Sequence, residues 1–197
     1  LLPRQGDWVA ILGMLSVVVI GAVLALDFQG SFSHGVFEPG LDNEYNFEWA
    51  SISDVLRIDF STYVDAITVV MITVVSVVAL MVMVYSIGYM HGEARYGWYF
   101  ALLSFFTAAM LLLVVSGNLL QLYLAWEGVG LASYLLIGFY WERQTAAEAA
   151  KKAFITTRLG DVGLLIGIIL LWREAGTFDI QEIIRLAQAG AFDETYL

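Results

Sequence analysis

Five stretches of this 197-residue chain are long and apolar enough to cross a bilayer, and nothing else in the sequence constrains the fold as strongly. A helix needs about 20 mostly apolar residues to span the hydrocarbon core. The candidate spans are 8–26, 63–89, 98–115, 118–140 and 153–172. Trp8, Trp98, Tyr140, Trp141 and Trp172 fall at their ends, where amphipathic aromatics favour the headgroup region. Composition agrees: 60% of residues are hydrophobic and 14% charged, and mean hydropathy is +0.78. A soluble domain carries about 25% charged residues, and disorder needs low hydrophobicity. The chain has no Cys, which excludes a disulfide scaffold and any Cys-ligated zinc or iron–sulfur site. His34 and His91 stand too far apart for a metal motif. A net charge of −10, with nine basic residues spread thinly, argues against nucleic acid as a partner. The expected fold class is an all-α polytopic membrane protein, with 1–197 a single membrane domain in contact with lipid.

The connections carry their own signals. The loop 27–62 holds the acids Asp27, Glu38, Asp42, Glu44, Glu48, Asp54 and Asp59 against one basic residue, Arg57. Its stretch Val55–Phe60 partly alternates apolar and polar residues, which predicts a short β-hairpin on the membrane surface. After the fifth span, Asp179 and Glu182 have capping-box spacing. Ile180, Ile183, Ile184 and Ala187 then share one helix face, so a surface helix over about 179–188 is expected. Arg4, Arg95, Arg143, Lys151 and Lys152 fall on one side of the spans, and Arg57, Arg173 and Arg185 on the other. That excess puts the start of the chain inside and the acidic loop outside, as in a bacterial inner membrane. The chain opens on Leu1 without the features of a signal peptide and closes on the loop-like 190–197, which reads as a fragment.

Charges within the spans are the functional candidates, because each costs roughly 3 kcal/mol at the bilayer centre. Glu127 is the tenth residue of the fourth span, roughly 14 Å along it, with nothing basic within seven residues on either side. Tyr123, Gly130, Leu131 and Tyr134 share its face. Such an acid either sits neutral or meets a cation from another helix, and both states suit a proton carrier; a static packing role is the alternative. Arg158 and Asp161, spaced i and i+3 in the fifth span, can pair along one helix. That pair either takes part in charge transfer or simply neutralises itself for insertion. Thr157 could extend a hydrogen-bond chain from Asp161, though such hydroxyls more often bond back to their own backbone. Lys152, with Lys151, sits at the inner end of that span, where snorkelling anchors are common. Asp65 reads as a helix-start acid, and His91 and His34 as solvated. Gly128 and Gly130 either allow close helix packing or loosen the helix beside Glu127.

The block Trp126-Glu-Gly-Val-Gly-Leu-Ala-Ser-Tyr-Leu-Leu-Ile-Gly-Phe-Tyr140 closely resembles the fifth transmembrane helix of the distal antiporter-like (L) subunits of respiratory complex I, NADH:quinone oxidoreductase. Lys152-Ala-Phe-Ile-Thr-Thr-Arg-Leu-Gly-Asp-Val-Gly163 looks like the start of their sixth helix. Tyr85-Ser-Ile-Gly-Tyr-Met-His-Gly-Glu-Ala-Arg-Tyr96, with Trp98–Ala101, is similar to the link between the third and fourth. The resemblance covers roughly 49–184 and implies helices two to six, half of an antiporter-like inverted repeat. It implies that Glu127 is the glutamate of the proton pathway, whose lysine partner would lie beyond Leu197. It puts Arg158 and Asp161 near a neighbouring subunit and the central polar axis, and makes other membrane-arm subunits the partners. NADH, FMN, iron–sulfur clusters and quinone would serve the complex from other subunits, with no cofactor in this chain. The implied function is proton translocation coupled to quinone reduction elsewhere. An Mrp-type cation/proton antiporter or membrane-bound hydrogenase subunit is the related alternative, and a structural membrane scaffold the alternative of another class.

Overall fold

The computed structural model describes residues 6–33, 45–52 and 56–190, with side chains described over 6–26 and 60–190. Its elements are α1 (Asp7–Ser33), β1 (Tyr45–Ile52), β2 (Leu56–Thr62), α2 (Ala66–Tyr89), α3 (Tyr96–Val114), α4 (Leu119–Ile137), α5 (Gln144–Ala175) and α6 (Ile180–Gln188). The first five helices are long and apolar enough to cross a membrane. Only helices and closed barrels satisfy every backbone polar group without water, so these apolar stretches have no other way to span.

Local chemistry sets the helix ends. Asp65 caps α2 by accepting from the Thr68 N–H at 2.7 Å, so α2 begins at Ala66, three residues after the expected start of that span. Asn118 Oδ1 accepts from the N–H groups of Leu120 and Gln121 and starts α4. Gly176, at φ 71°, takes the left-handed conformation that ends α5. The largest departure from expectation is α5 itself, whose 32 residues start nine positions before the span expected at 153–172. Residues 144–152 are rich in Ala and Lys, good helix formers, so the helix continues past the apolar stretch. At 1.5 Å per residue it is about 48 Å long, well over the hydrocarbon thickness.

Consecutive spans run antiparallel. α1 packs on α2, α2 on α3, α3 on α4 and α4 on α5. One buried cluster joins Met14, Met83, Phe100 and Leu103, and a second joins Met90, Leu102 and Phe139. Gly128 lies against α3, where an added Cβ would stand 3.2 Å from Ala109 Cβ. Of the two readings of the α4 glycines, this is the close-packing one. Large side chains such as Leu159 on α5 remain exposed.

The two ends of the bundle are tied differently. At the end where α3 and α5 begin, side chains make the ties. Arg95 grips Glu142 through two 2.8 Å hydrogen bonds and lies 3.7 Å from the Trp141 ring centroid. Tyr96 donates to Asp7 Oδ2 at 2.8 Å, joining α3 to α1. At the opposite end, backbone makes the ties. β1 and β2 form an antiparallel hairpin with a register shift between Glu48 and Ala50. Its last residues meet the α3–α4 turn, with Tyr63 N–H donating to Val115 O and Gly117 N–H to Ser61 O. The same turn holds the entry to α6, with Leu119 N–H donating to Phe178 O and Ile180 N–H to Gly117 O. The acidic side chains of 27–59 lie outside the described residues. In α6, Asp179 accepts from the Glu182 N–H at 2.8 Å. The reciprocal half of the capping box is absent, because Asp179 N–H donates to Thr177 Oγ1 and Glu182 pairs with Arg185.

Candidate functional site

α4 and α5 cross as antiparallel neighbours, and the crossing assembles the buried charges. Glu127 lies midway along α4, and Arg158 midway along α5. Arg158 forms an ion pair with Glu127 through Nη1 and Oε2, although 31 residues separate them. The same Nη1 lies 3.3 Å from Asp161 Oδ2. Arg158 Nη2 donates to the Glu127 carbonyl at 3.4 Å. One guanidinium therefore serves two carboxylates on two helices. Side-chain exposure falls from 27% at Glu127 to 24% at Arg158 and 8% at Asp161, so the arrangement deepens away from Glu127.

Two further residues shape the cluster. Trp126 Nε1 donates to Asp161 Oδ1 at 2.7 Å. Gly130 leaves room for Arg158, since an added Cβ would stand 2.9 Å from Nη2. Arg158 Cζ also lies 4.5 Å from the Phe154 ring centroid, within cation–π range. The cluster is formally two anions and one cation in a region that penalises net charge.

Of the residues singled out from sequence, the structure brings together Glu127, Arg158 and Asp161. Arg158 is not confined to a self-neutralising pair on its own helix. It is the cation from another helix that one reading of Glu127 required, and it pairs Glu127 without the lysine that the family resemblance places beyond Leu197. Thr157 is not part of the network: it is exposed, and its hydroxyl donates back to Phe154 O at 2.9 Å. Lys152 and Lys151 are exposed six and seven positions before Arg158 on α5. His91 is exposed in the α2–α3 turn, and His34 lies outside the described residues. Trp126 was missed as a site residue, because nothing along the chain shows that its N–H meets an acid 35 positions away. Among the described residues, no group of three or more His, Asp or Glu is placed to hold a metal ion.

Five helices long and apolar enough to cross a membrane thus hold a charge cluster between the fourth and fifth. Two family models match the chain in order. The model for chain 5 of NADH-ubiquinone oxidoreductase (complex I), N-terminus, matches residues 49–100. The transmembrane model for NADH:quinone oxidoreductase and Mrp antiporters matches residues 116–196. Both models describe antiporter-like subunits, which this chain resembles over the matched residues. NAD(P)H-quinone oxidoreductase chain 5 of Synechocystis sp. is 41% identical over 182 residues, covering 91% of this chain and 25% of that protein. The chloroplastic subunit 5 of Anthoceros angustus is 40% identical over 173 residues, 86% of this chain and 24% of that protein. That of Nephroselmis olivacea is 50% identical over 136 residues, 69% and 21%. The chain thus spans about a quarter of the length of these relatives. Among solved structures, the archaeal membrane-bound sulfane sulfur reductase superposes with a TM-score of 0.71 at 17% identity, over 93% of this chain and 35% of that one. The Mrp complex from Dietzia sp. does so with 0.66 at 22% identity, over 92% and 19%. At these identities the likeness is one of fold.

Proposed function

We propose that this chain is part of the distal antiporter-like subunit of an NADH:quinone oxidoreductase and carries protons across the membrane. One observation supports the mechanism above the rest: Arg158 is shared by Glu127 on α4 and Asp161 on α5. When Glu127 is ionised it competes with Asp161 for the guanidinium. When Glu127 takes a proton, Arg158 belongs to Asp161 alone. A change in charge elsewhere in the membrane arm that draws Arg158 toward either side then loads or discharges Glu127. Glu127 carries the proton, Arg158 is the mobile cation and Asp161 is its second seat. Lys152 and Thr157 are exposed on α5 and, among the described residues, lie outside the charge cluster.

The partners on this reading are other membrane-arm subunits and the lipid bilayer. NADH, FMN, iron–sulfur clusters and quinone belong to those other subunits, and this chain contributes no redox centre. The Lys and Arg count supports a bacterial inner membrane with loop 27–62 on the outer side. The test is Glu127→Gln in the full-length subunit, assembled in its complex and reconstituted in vesicles. Protons moved per NADH oxidised should drop several-fold while assembly and NADH oxidation persist. Unchanged proton yield would leave the charges a structural role. The Mrp-type reading is favoured by the transmembrane model matched over residues 116–196, which Mrp antiporters share. It predicts instead a proton flux driven by a Na⁺ gradient without NADH.

A further inference from the structure

We propose that Phe154 is a positioning residue: its ring, braced by Tyr134 of α4, holds the Arg158 guanidinium level with Glu127 and stops it from reaching for water. The consequence for proton transfer rests on the reading of Glu127 as the carrier. The hold on the guanidinium does not.

An arginine inside a span has a way out. In an α-helix the Cα–Cβ bonds tilt toward the N-terminus, and long side chains lie back over the i−3/i−4 face. Arginine lays its apolar stem along such a face and brings its charge to the interface. On α5 that direction leads toward the exposed Lys152, six residues before Arg158 and about 9 Å along the axis. An extended arginine side chain covers most of that distance.

The structure closes that route. Phe154 stands at i−4 from Arg158, with its ring centroid 4.5 Å from Cζ. Tyr134 meets the same ring from the other helix, with centroids 5.1 Å apart and planes inclined at 55°. A ring face attracts a guanidinium within about 6 Å, and more strongly where water is excluded. Arg158 pairs with both carboxylates through Nη1, whereas its buried Nε has no hydrogen-bond acceptor among the described residues. The acids therefore hold one end of the guanidinium, and the ring supplies a contact at its centre.

The two helices build this arrangement from matching periods. α5 supplies Phe154, Arg158 and Asp161 at i, i+4 and i+7. α4 supplies Glu127, Gly130 and Tyr134 at i, i+3 and i+7, with Gly130 leaving the room that the guanidinium occupies. The helices are antiparallel, so both aromatic rings fall on the same side of the charges, toward the end where α5 begins.

The test uses the full-length subunit in its assembled complex, in lipid vesicles. Hydroxyphenylglyoxal, a water-soluble arginine reagent, reports whether Arg158 reaches water, read by mass spectrometry of its peptide. Arg158 should react slowly in the parent and several-fold faster in Phe154→Leu, which keeps apolar bulk and loses the ring. A trifluorinated phenylalanine at position 154 keeps the ring's shape and weakens its negative face, and it too should speed the reaction. It also serves as the test should Phe154→Leu fail to assemble. Protons moved per NADH oxidised should fall in the same order. Faster reaction with unchanged proton yield would uphold the hold on Arg158 and sink the carrier reading instead. A fluorinated ring that leaves the reaction as slow as in the parent would reduce Phe154 to a steric filler and overturn the proposal. So would a parent in which Arg158 reacts as fast as in Phe154→Leu.

Discussion

Arg158 is the residue on which the cluster turns, and its chemistry is specific to arginine. A planar guanidinium presents several donors at once, whereas a lysine ammonium is a compact point charge on a flexible stem. Arg158→Lys should therefore keep the charge but hold one carboxylate at a time. The expected result is normal assembly with proton yield reduced several-fold, measured in reconstituted vesicles. Arg158→Met leaves two acids without their cation. Breaking a buried pair costs about 3–5 kcal/mol, and partial exposure of Arg158 points to the lower end. A clear loss of thermal stability should be seen by calorimetry. Gly130 is the complementary test. Gly130→Ala should raise helix propensity by about 1 kcal/mol while its Cβ pushes Arg158 Nη2 from 2.9 Å. Lower proton yield with undiminished thermal stability is the outcome that a shifted guanidinium predicts. Glu127 and Arg158 were legible as candidates because a charge in an apolar span is conspicuous. Trp126 was not, since an aromatic near a span is ordinary and its partner lies on another helix.

At the scale of elements, the turn between α3 and α4 matters most. Its residues Val115, Gly117 and Asn118 hold the hairpin, the start of α4 and the entry to α6 through backbone bonds and one cap. Gly117 packs tightly there, since an added Cβ would stand 2.7 Å from Ser61 Oγ and 3.3 Å from its Cβ. Gly117→Val should push the hairpin off the turn. Limited proteolysis within 45–62 should then accelerate several-fold, with the spans intact by circular dichroism. Asn118→Ala should cost about 1 kcal/mol through the lost α4 cap. The spans, the hairpin and α6 could all be read from periodicity and length. The early start of α5 could not, since apolar length marks where a helix meets lipid, not where it begins.

Across the whole molecule, the end opposite that turn is held by charge. Arg95 bonds both oxygens of Glu142 and links the α2–α3 and α4–α5 connections. Those hydrogen bonds hold the Glu142 carboxyl below its ordinary value of 4.5. A lowered folded-state value means the contribution is fully present above that ordinary value and is lost as pH falls through the lowered one. Amide exchange of 91–96 and 138–143, corrected for intrinsic rates, should rise between pH 7 and pH ~3. Arg95→Gln should abolish most of that pH dependence. Both carriers are partly exposed, so the effect is local and spares the spans.

The sequence by itself determined which five segments are long and apolar enough to cross a membrane and which charges they carry inside. Those are consequences of composition along a single helix, where the bilayer charges each residue separately. Only the tertiary structure decided who neutralises whom. Glu127 meets Arg158, and Asp161 meets Trp126, because α4 and α5 cross antiparallel at mid-membrane. In a low-dielectric region the partner of a charge is set by distance in space, and the crossing of two helices is not written in the periodicity of either.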